Sequence, residues 1–378
     1  MLIPILLFVG TWLIYKNIYP DPRNWYDHYL HLAKSILVMR VDMPNLPQFY
    51  HDKIEFEGKI YVPFPPGASF ALLPFLIIDG NVTQQQASII LGSINIAIIY
   101  ILLTNFTSQK NSVLLSLFFG FGTSFFWSAV VGTTWFFAHV VLVFFLTTSL
   151  LFHFKKLYFL SGVFFALAVL TRMSVILSGI FFLLELFKTP KKFLSFLMGA
   201  FIFIPIFFSY NYLRFGDVFE TGYKKVYQQY KNSNLKYSVG QKFNYFDVRN
   251  IPSHLYAFLS MPPDISISDG TIRQIRPSPF GMGVLFTSPL LFLALLPKFK
   301  NKRELNLYIG SIFAAIPVFM HYAQGWVQFG YRFVLDFIVF LMIILTIRFK
   351  PTVLNLTLIL ISVIVNFWGV LWAIELGW

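Results

Sequence analysis

The chain has no cysteine, which excludes disulfides, thiolate metal sites and a cysteine nucleophile. Charge is scarce as well. Asp, Glu, Lys and Arg make up 12% of 378 residues, where a soluble domain carries roughly 25%. Acid is scarcest, with 16 carboxylates against 29 Lys and Arg. Internal repeats, low-complexity tracts and a separate polar domain are lacking, as is the apolar/polar alternation of a membrane β-barrel. What the chain does have is apolar side chains: it is 57% hydrophobic, with 47 Phe, in long runs from end to end. This composition predicts an all-α polytopic membrane protein. A net charge of +13 would suggest nucleic acid in a soluble chain. Here much of the excess lies in short connections between apolar runs, where membrane topology accounts for it, so nucleic acid is not an expected partner.

The runs predict eleven spans in one domain, 1–378. They lie near Leu2–Tyr19, Ala87–Asn105, Val113–Val131, Trp135–Phe154, Leu157–Met173, Ser174–Phe187, Phe193–Leu213, Met282–Pro297, Leu305–Tyr322, Phe333–Ile347 and Val353–Ile374. The first lacks a basic flank and a small-residue cleavage site, so it reads as a retained span. Pro63–Ile78 is apolar but short and broken by four prolines, and reads as re-entrant or interfacial. With the N-terminus inside, twelve basic residues fall in five short inner loops, from Lys110 to Lys350. Lys16 and Arg23, at the outer end of the first span, run against that bias. Segments 20–85 and 214–281 then lie outside.

The first outside segment holds seven of the 16 carboxylates by Asp79. Within it, Asn24–Met39 reads as an interfacial helix. Asp27, His31 and Lys34 fall on its water side, and Trp25, Tyr29, Leu32 and Ile36 on the other. Asp21 is its expected N-cap, with Pro22 at the first helical position. Lys53–Tyr61 alternates like a small hairpin turning at Gly58. The second outside segment carries six Tyr and nine basic residues, and reads as short helices on the bundle.

Ionisable residues near a bilayer are costly and mark candidate sites. Asp27 is the first candidate base, able to polarise an acceptor hydroxyl; its plainer role is a surface carboxylate paired to Lys34 or Arg23. Asp21 and Asp52 are further candidates, although an N-cap explains Asp21 fully and a loop-capping pair is the plainer reading of His51 and Asp52. No cofactor is demanded. A divalent metal held by His28, His31, His51 and Asp52 stays open, without a helical spacing that compels it. Arg172 ends one span and Arg332 opens another. Asp336, four residues on, is placed to pair with Arg332 in a helix. Arg332 otherwise faces an anion such as a lipid phosphate, as do Lys224, Lys225, Arg273 and Arg276. His139 is a lone histidine in an apolar helix, expected to make an ordinary hydrogen bond.

Several stretches carry a resemblance. They are Asp27-His28-Tyr29; His51-Asp52 through Gly58-Lys59-Ile60-Tyr61-Val62-Pro63-Phe64-Pro65-Pro66-Gly67; Gly132 through His139; Leu170-Thr171-Arg172; Tyr210 through Gly216 with Gly222-Tyr223; and Gln328-Phe329-Gly330-Tyr331-Arg332 through Asp336. In this order the chain resembles the C superfamily of integral-membrane glycosyltransferases (GT-C), the group of protein O-mannosyltransferases and aminoarabinose transferases, in its family-39-like bacterial branch. The resemblance implies a sugar donor on a polyprenyl phosphate and an acceptor glycan, lipid or protein. It also implies a first-loop Asp as base and an active site on the outer face of the plasma membrane. His28, His51, Arg172, Tyr223, Lys224, Arg273, Arg276, Gln328, Arg332 and Asp336 would bind substrate. Relatives often carry an acid four residues before the loop tyrosine; this chain has Trp25 there, and Asp27 is the nearest carboxylate. A non-catalytic polyprenyl-lipid-binding subunit and a lipid or sugar transporter are the alternatives. The transporter lacks the paired repeats and mid-span charges that class usually shows.

Overall fold

A computed structural model describes residues 2–19, 26–44, 46–47, 50–230, 243–268 and 271–377. Asp21, Pro22 and Trp25 lie outside them. Helix α1 (Leu2–Ile18) comes first, and α2 (His28–Leu37) follows. α2 is shorter than the expected Asn24–Met39. Residues 26 and 27 are not helical, and Asp27 stands at the N-cap of this helix. The helix ends in a Schellman motif: Met39 takes a left-handed φ of 59°, Met39 N donates to Ile36 O and Arg40 N to Ser35 O, each at 2.9 Å. Its faces follow the expected division in part, with Tyr29 and Leu32 buried and Lys34 exposed, while His31 and Asp27 are half-buried rather than in open water.

The predicted hairpin is present as β1 (Ile54–Phe56) and β2 (Lys59–Tyr61), with Ile54 opposite Tyr61. Glu57 and Gly58 both have positive φ, 50° and 71°, as a two-residue type I′ turn requires. Helix α3 (Gly67–Ile78) has 12 residues, about 18 Å, well short of the ~30 Å of a bilayer core.

The bundle continues with α4 (Gln84–Leu103), α5 (Gln109–Phe121), α6 (Phe125–Val131), α7 (Thr134–Phe154), α8 (Tyr158–Thr171), α9 (Gly179–Leu186), α10 (Pro190–Phe201) and α11 (Ile204–Phe215). The pair α5 and α6 is bent by 59°. Segment 214–281 holds α12 (Tyr223–Tyr230) and α13 (Ile251–Leu259). It also holds a hairpin that the helical expectation missed, β3 (Asp264–Ser268) and β4 (Thr271–Arg276). A register shift after Ser266 sets Ile265 opposite Ile275 and Ile267 opposite Ile272, so four exposed isoleucines share one face. The remaining helices are α14 (Val284–Thr287), α15 (Phe292–Leu295), α16 (Lys302–Met320), α17 (Ile338–Arg348) and α18 (Val353–Glu375).

The fold is thus mostly helical. Among the described residues four helices are long and apolar enough to cross a membrane, or five if the bent pair is one span. The four are α4, α7, the stretch Pro190–Phe215 formed by α10 and α11, and α18. The continuous span expected at Met282–Pro297 is instead three short pieces, α14, a 3₁₀ turn Pro289–Leu291 and α15. Pro289 lacks the amide that a continuing helix needs. The span expected at Phe333–Ile347 likewise opens as a 3₁₀ segment, Arg332–Asp336, before α17 begins.

Helices α8 and α10 pack through reciprocal glycines. A Cβ on Gly162 would sit 2.0 Å from Phe196 O, and one on Gly199 would sit 2.1 Å from Phe159 O. Small residues allow such backbone approach in apolar surroundings. Gly162→Ala and Gly199→Ala should each destabilise the protein by about 1–3 kcal/mol, read as a lowered melting temperature in detergent. Gly10→Ala meets open space and should not. Wild-type melting of both α8 and α10 variants would contradict this packing.

Candidate functional site

The first turn of α7 organises the site. It presents Thr134, Trp135 and Phe136, with His139 a turn further on. His28, at the start of α2, is fully buried against it. The His28 Nδ1 lies 2.8 Å from Thr134 Oγ1 and its Nε2 lies 2.7 Å from His51 O. Burial pushes this imidazole down to about 3, so it is neutral at physiological pH. A carbonyl can only accept, so Nε2 carries the proton. Both nitrogens are therefore occupied, and His28 acts as a rivet between α7 and the loop before β1. Among the described residues no three His, Asp or Glu side chains gather as metal ligands.

Asp27 is held from two sides. Tyr50 Oη donates to its Oδ1 at 2.7 Å and accepts from its backbone amide at 2.5 Å. His31 Nε2 lies 3.3 Å from the same carboxylate oxygen. Of the two partners considered for it, Lys34 is not the one in contact and Arg23 lies outside the described residues; His31, one turn on along α2, makes the described contact. Burial raises the Asp27 carboxyl, but the hydrogen bonds from His31 and Tyr50 outweigh it and hold the group below the usual carboxylate range.

Asp52 has the opposite character. It is a non-glycine residue with φ of 59°, and its Oδ2 accepts from the Trp135 indole at 2.8 Å. Burial raises its carboxyl above the usual range, more than the Trp135 hydrogen bond and the charges of His51 and Arg332 lower it. Asp52 thus shares a field with Arg332, as Asp336 also does.

The second half of the site is built on Asp336. Arg172 Nε donates to its two oxygens at 2.8 and 3.1 Å, and Ser174 Oγ donates at 2.5 Å. His139 Nδ1 lies 2.9 Å away, without the alignment of a hydrogen bond. The expected Arg332–Asp336 pair is therefore not formed. Its spacing assumed 3.6 residues per turn. In a 3₁₀ segment residue i+3 lies above residue i and i+4 is rotated well past it. Arg332 instead lies between aromatic rings, 5.1 Å from the centroids of both Phe136 and Phe333. Its side chain is only 7% exposed and its Nε finds no hydrogen-bond partner. Arg172 lies 5.5 Å from the same Phe333 ring, so the two guanidiniums flank one side chain.

The loop before Arg332 is tightly determined. Gln328 is buried and donates to Phe280 O at 2.9 Å and to Gln324 O at 2.8 Å, leaving Oε1 without a partner. Gly325, at φ 91°, passes so close that a Cβ would meet Gln328 Oε1 at 2.8 Å and Arg332 Nη2 at 2.9 Å. Val327, β-branched, is forced to φ 52°, a strain of about 1–3 kcal/mol. His254 anchors the loop at both ends, with Nδ1 2.7 Å from Tyr331 Oη and Nε2 2.8 Å from His321 O.

Tyr223, first residue of α12, lies in the field of Arg172, Asp52 and Arg214, and so joins the same group. Lys224 is exposed on α12, and Arg273 and Arg276 lie on the exposed strand β4. None of these three has a described contact with Asp52, Arg172 or Arg332. Arg214 and Tyr210 of α11 tie it to the stretch after β2, through Arg214 Nη1 to Val62 O at 2.5 Å and Tyr210 Oη to Phe64 O at 3.2 Å. Tyr50, Thr134, Trp135 and Ser174 are partners that sequence reasoning did not assign. Their one local signal was adjacency: Tyr50 to His51, and Thr134-Trp135 at the head of a span.

Compared with known proteins, the chain matches no family model, no curated protein and no solved structure.

Removing the Asp336 charge should leave the Arg172 guanidinium unpaired. Asp336→Asn should destabilise by about 3 kcal/mol, and Ser174→Ala by about 1 kcal/mol, in denaturant or thermal unfolding. The double variant Asp336→Asn/Arg172→Gln should recover part of the loss. Full stability of Asp336→Asn would show that the network does not hold these segments.

Proposed function

We propose that the chain is a membrane glycosyltransferase that moves a sugar from a polyprenyl-phosphate donor to an acceptor hydroxyl on the outer face of the plasma membrane. The observation that carries the reading is Arg332: a guanidinium 7% exposed, with no ion pair among the described residues, in the field of Asp52 and flanking Phe333 with Arg172. A buried, unpaired cation is costly, and an anionic group arriving beside it removes that cost. The phosphate of a lipid-linked donor is such a group, and an arginine binds it with paired donors.

In this reading the Asp52 carboxylate accepts the proton of the acceptor hydroxyl. The hydroxyl oxygen attacks the anomeric carbon as the carbon–oxygen bond to phosphate breaks. The polyprenyl phosphate leaves with the bonding pair, and configuration inverts. Arg332 and Arg172 stabilise the charge that develops on the leaving phosphate. Asp52 is favoured over Asp27 as base because its proton affinity is raised, whereas Asp27 is held by Tyr50 and His31. Asp27 then positions Tyr50 and the loop that bears Asp52. The topology that fits is eleven spans with the N-terminus inside and both outside segments beside the donor.

The test uses the purified chain in nanodiscs with polyprenyl-phosphate-linked mannose, glucose or aminoarabinose, and measures released polyprenyl phosphate. Asp52→Asn should lower release at least about 100-fold, while Asp27→Asn retains more of it. Rate requires ionised Asp52, so it falls as pH drops through that pKa. The acid limb should therefore lie above the ordinary carboxylate range; a limb below that range would return the role to Asp27. Absence of release from any donor, with lipid binding still lost in Arg332→Gln, would replace this reading with a lipid-binding subunit.

A further inference from the structure

A cavity of about 510 Å³ lies at the far end of α7 from the site above, independent of the reading just given. It is walled by the end of α9, the start of α16 and Ile347 of α17. Its size is that of a small-ligand site, roughly 300–1,000 Å³. One carboxylate faces it, Glu185, and that charge is already matched. Asn306 Nδ2 donates to Glu185 Oε1 at 2.6 Å, Arg303 Nε lies 3.7 Å from Oε2, and His153 Nε2 lies 3.9 Å from Oε2.

Two exposed lysines at its open mouth are left over. Lys188 Nζ and Lys302 Nζ lie 5.8 and 5.7 Å from the centroid of the same Phe187 ring. Among the described residues neither has a carboxylate partner. Two ammoniums drawn to one ring repel each other, and an anion between them turns that repulsion into attraction. Leu184 and Ile347 give the same cavity an apolar wall. Basic loops alone would follow from membrane topology; a cavity with an apolar wall and two unmatched cations would not.

We propose that this cavity binds a phosphate group, carried either by an anionic phospholipid headgroup or by a free phosphate compound. Basic pockets between helix ends on the inner side suit such groups. The site is distinct from the Arg332 region and takes no part in transfer.

The experiment is a thermal-unfolding titration of the full purified chain in detergent. The probes are dioctanoyl phosphatidylglycerol, dioctanoyl phosphatidylcholine and inorganic phosphate. Phosphatidylglycerol should raise the melting temperature, and its half-saturating concentration should increase at least tenfold in Lys188→Gln/Lys302→Gln. The variant Lys155→Gln/Lys191→Gln, which removes two equally exposed charges outside the cavity, should behave as wild type. Leu184→Trp, which fills the cavity without changing charge, should also abolish the shift. A shift with phosphatidylglycerol alone identifies a lipid headgroup as the source; an equal, lysine-dependent shift with inorganic phosphate identifies free phosphate. The proposal is overturned if both lysine pairs lose the shift equally, if neither does, or if phosphatidylcholine acts as strongly as phosphatidylglycerol.

Discussion

The buried carboxylate of Asp336 ties together stretches that the chain keeps far apart. Arg172 and Ser174 reach it from the break after α8, and His139 reaches it from α7. In an apolar interior a charge of this kind persists only when its partners are in place. Their positions then follow. The chain must break its helix after Thr171, and Arg332–Asp336 must adopt a tighter turn than an α-helix. The same arrangement leaves Arg332 without an ion pair among the described residues and directs it toward Phe136 and Phe333.

Helix α7 links two chemically opposite ends. Its first turn meets Asp52, His28 and Arg332, while its last turn places His153 near Glu185 and Phe154 beneath Arg303. Its 21 residues rise about 32 Å, the thickness of a bilayer core. At the second end Arg348 donates to carbonyls of Leu293 and Leu296 at 2.7 and 2.6 Å and pairs with Glu304. That arginine satisfies backbone acceptors at the end of the short helix α15 that have no helical partner of their own. Scarcity of acid makes these assignments consequential. Glu185, Glu304 and Asp336 each neutralise a particular basic group, and the cations without such a partner become the informative ones.

Local pattern was legible where one element decides the outcome. The faces of α2, the β1–β2 hairpin and the bulk of the apolar helices follow from side-chain period and turn residues. The hairpin β3–β4 was legible too, from the alternation Asp264-Ile265-Ser266-Ile267 before Asp269-Gly270, but the aromatic and basic composition of its neighbourhood argued for helices. The pairing of Arg332 with Asp336 was misread because helical spacing presumes an α-helical rise, and the segment is 3₁₀. The interruption at Pro289 was visible as a proline, but not the division of a whole apolar run into three short pieces.

Sequence by itself determined that this chain is helical and apolar, that its acids concentrate before residue 80, and that basic residues punctuate its short connections. These are properties of composition and period, and burial energetics read them directly. Only the tertiary structure decided which carboxylate faces which cation. In the sequence Asp27 leads and Asp52 is a further candidate, and nothing in the local pattern reverses that order. They differ because Tyr50 and His31 reach one, while burial beside Trp135 surrounds the other. Proton affinity depends on groups brought together from distant positions, and that information resides in packing rather than in any local run of residues.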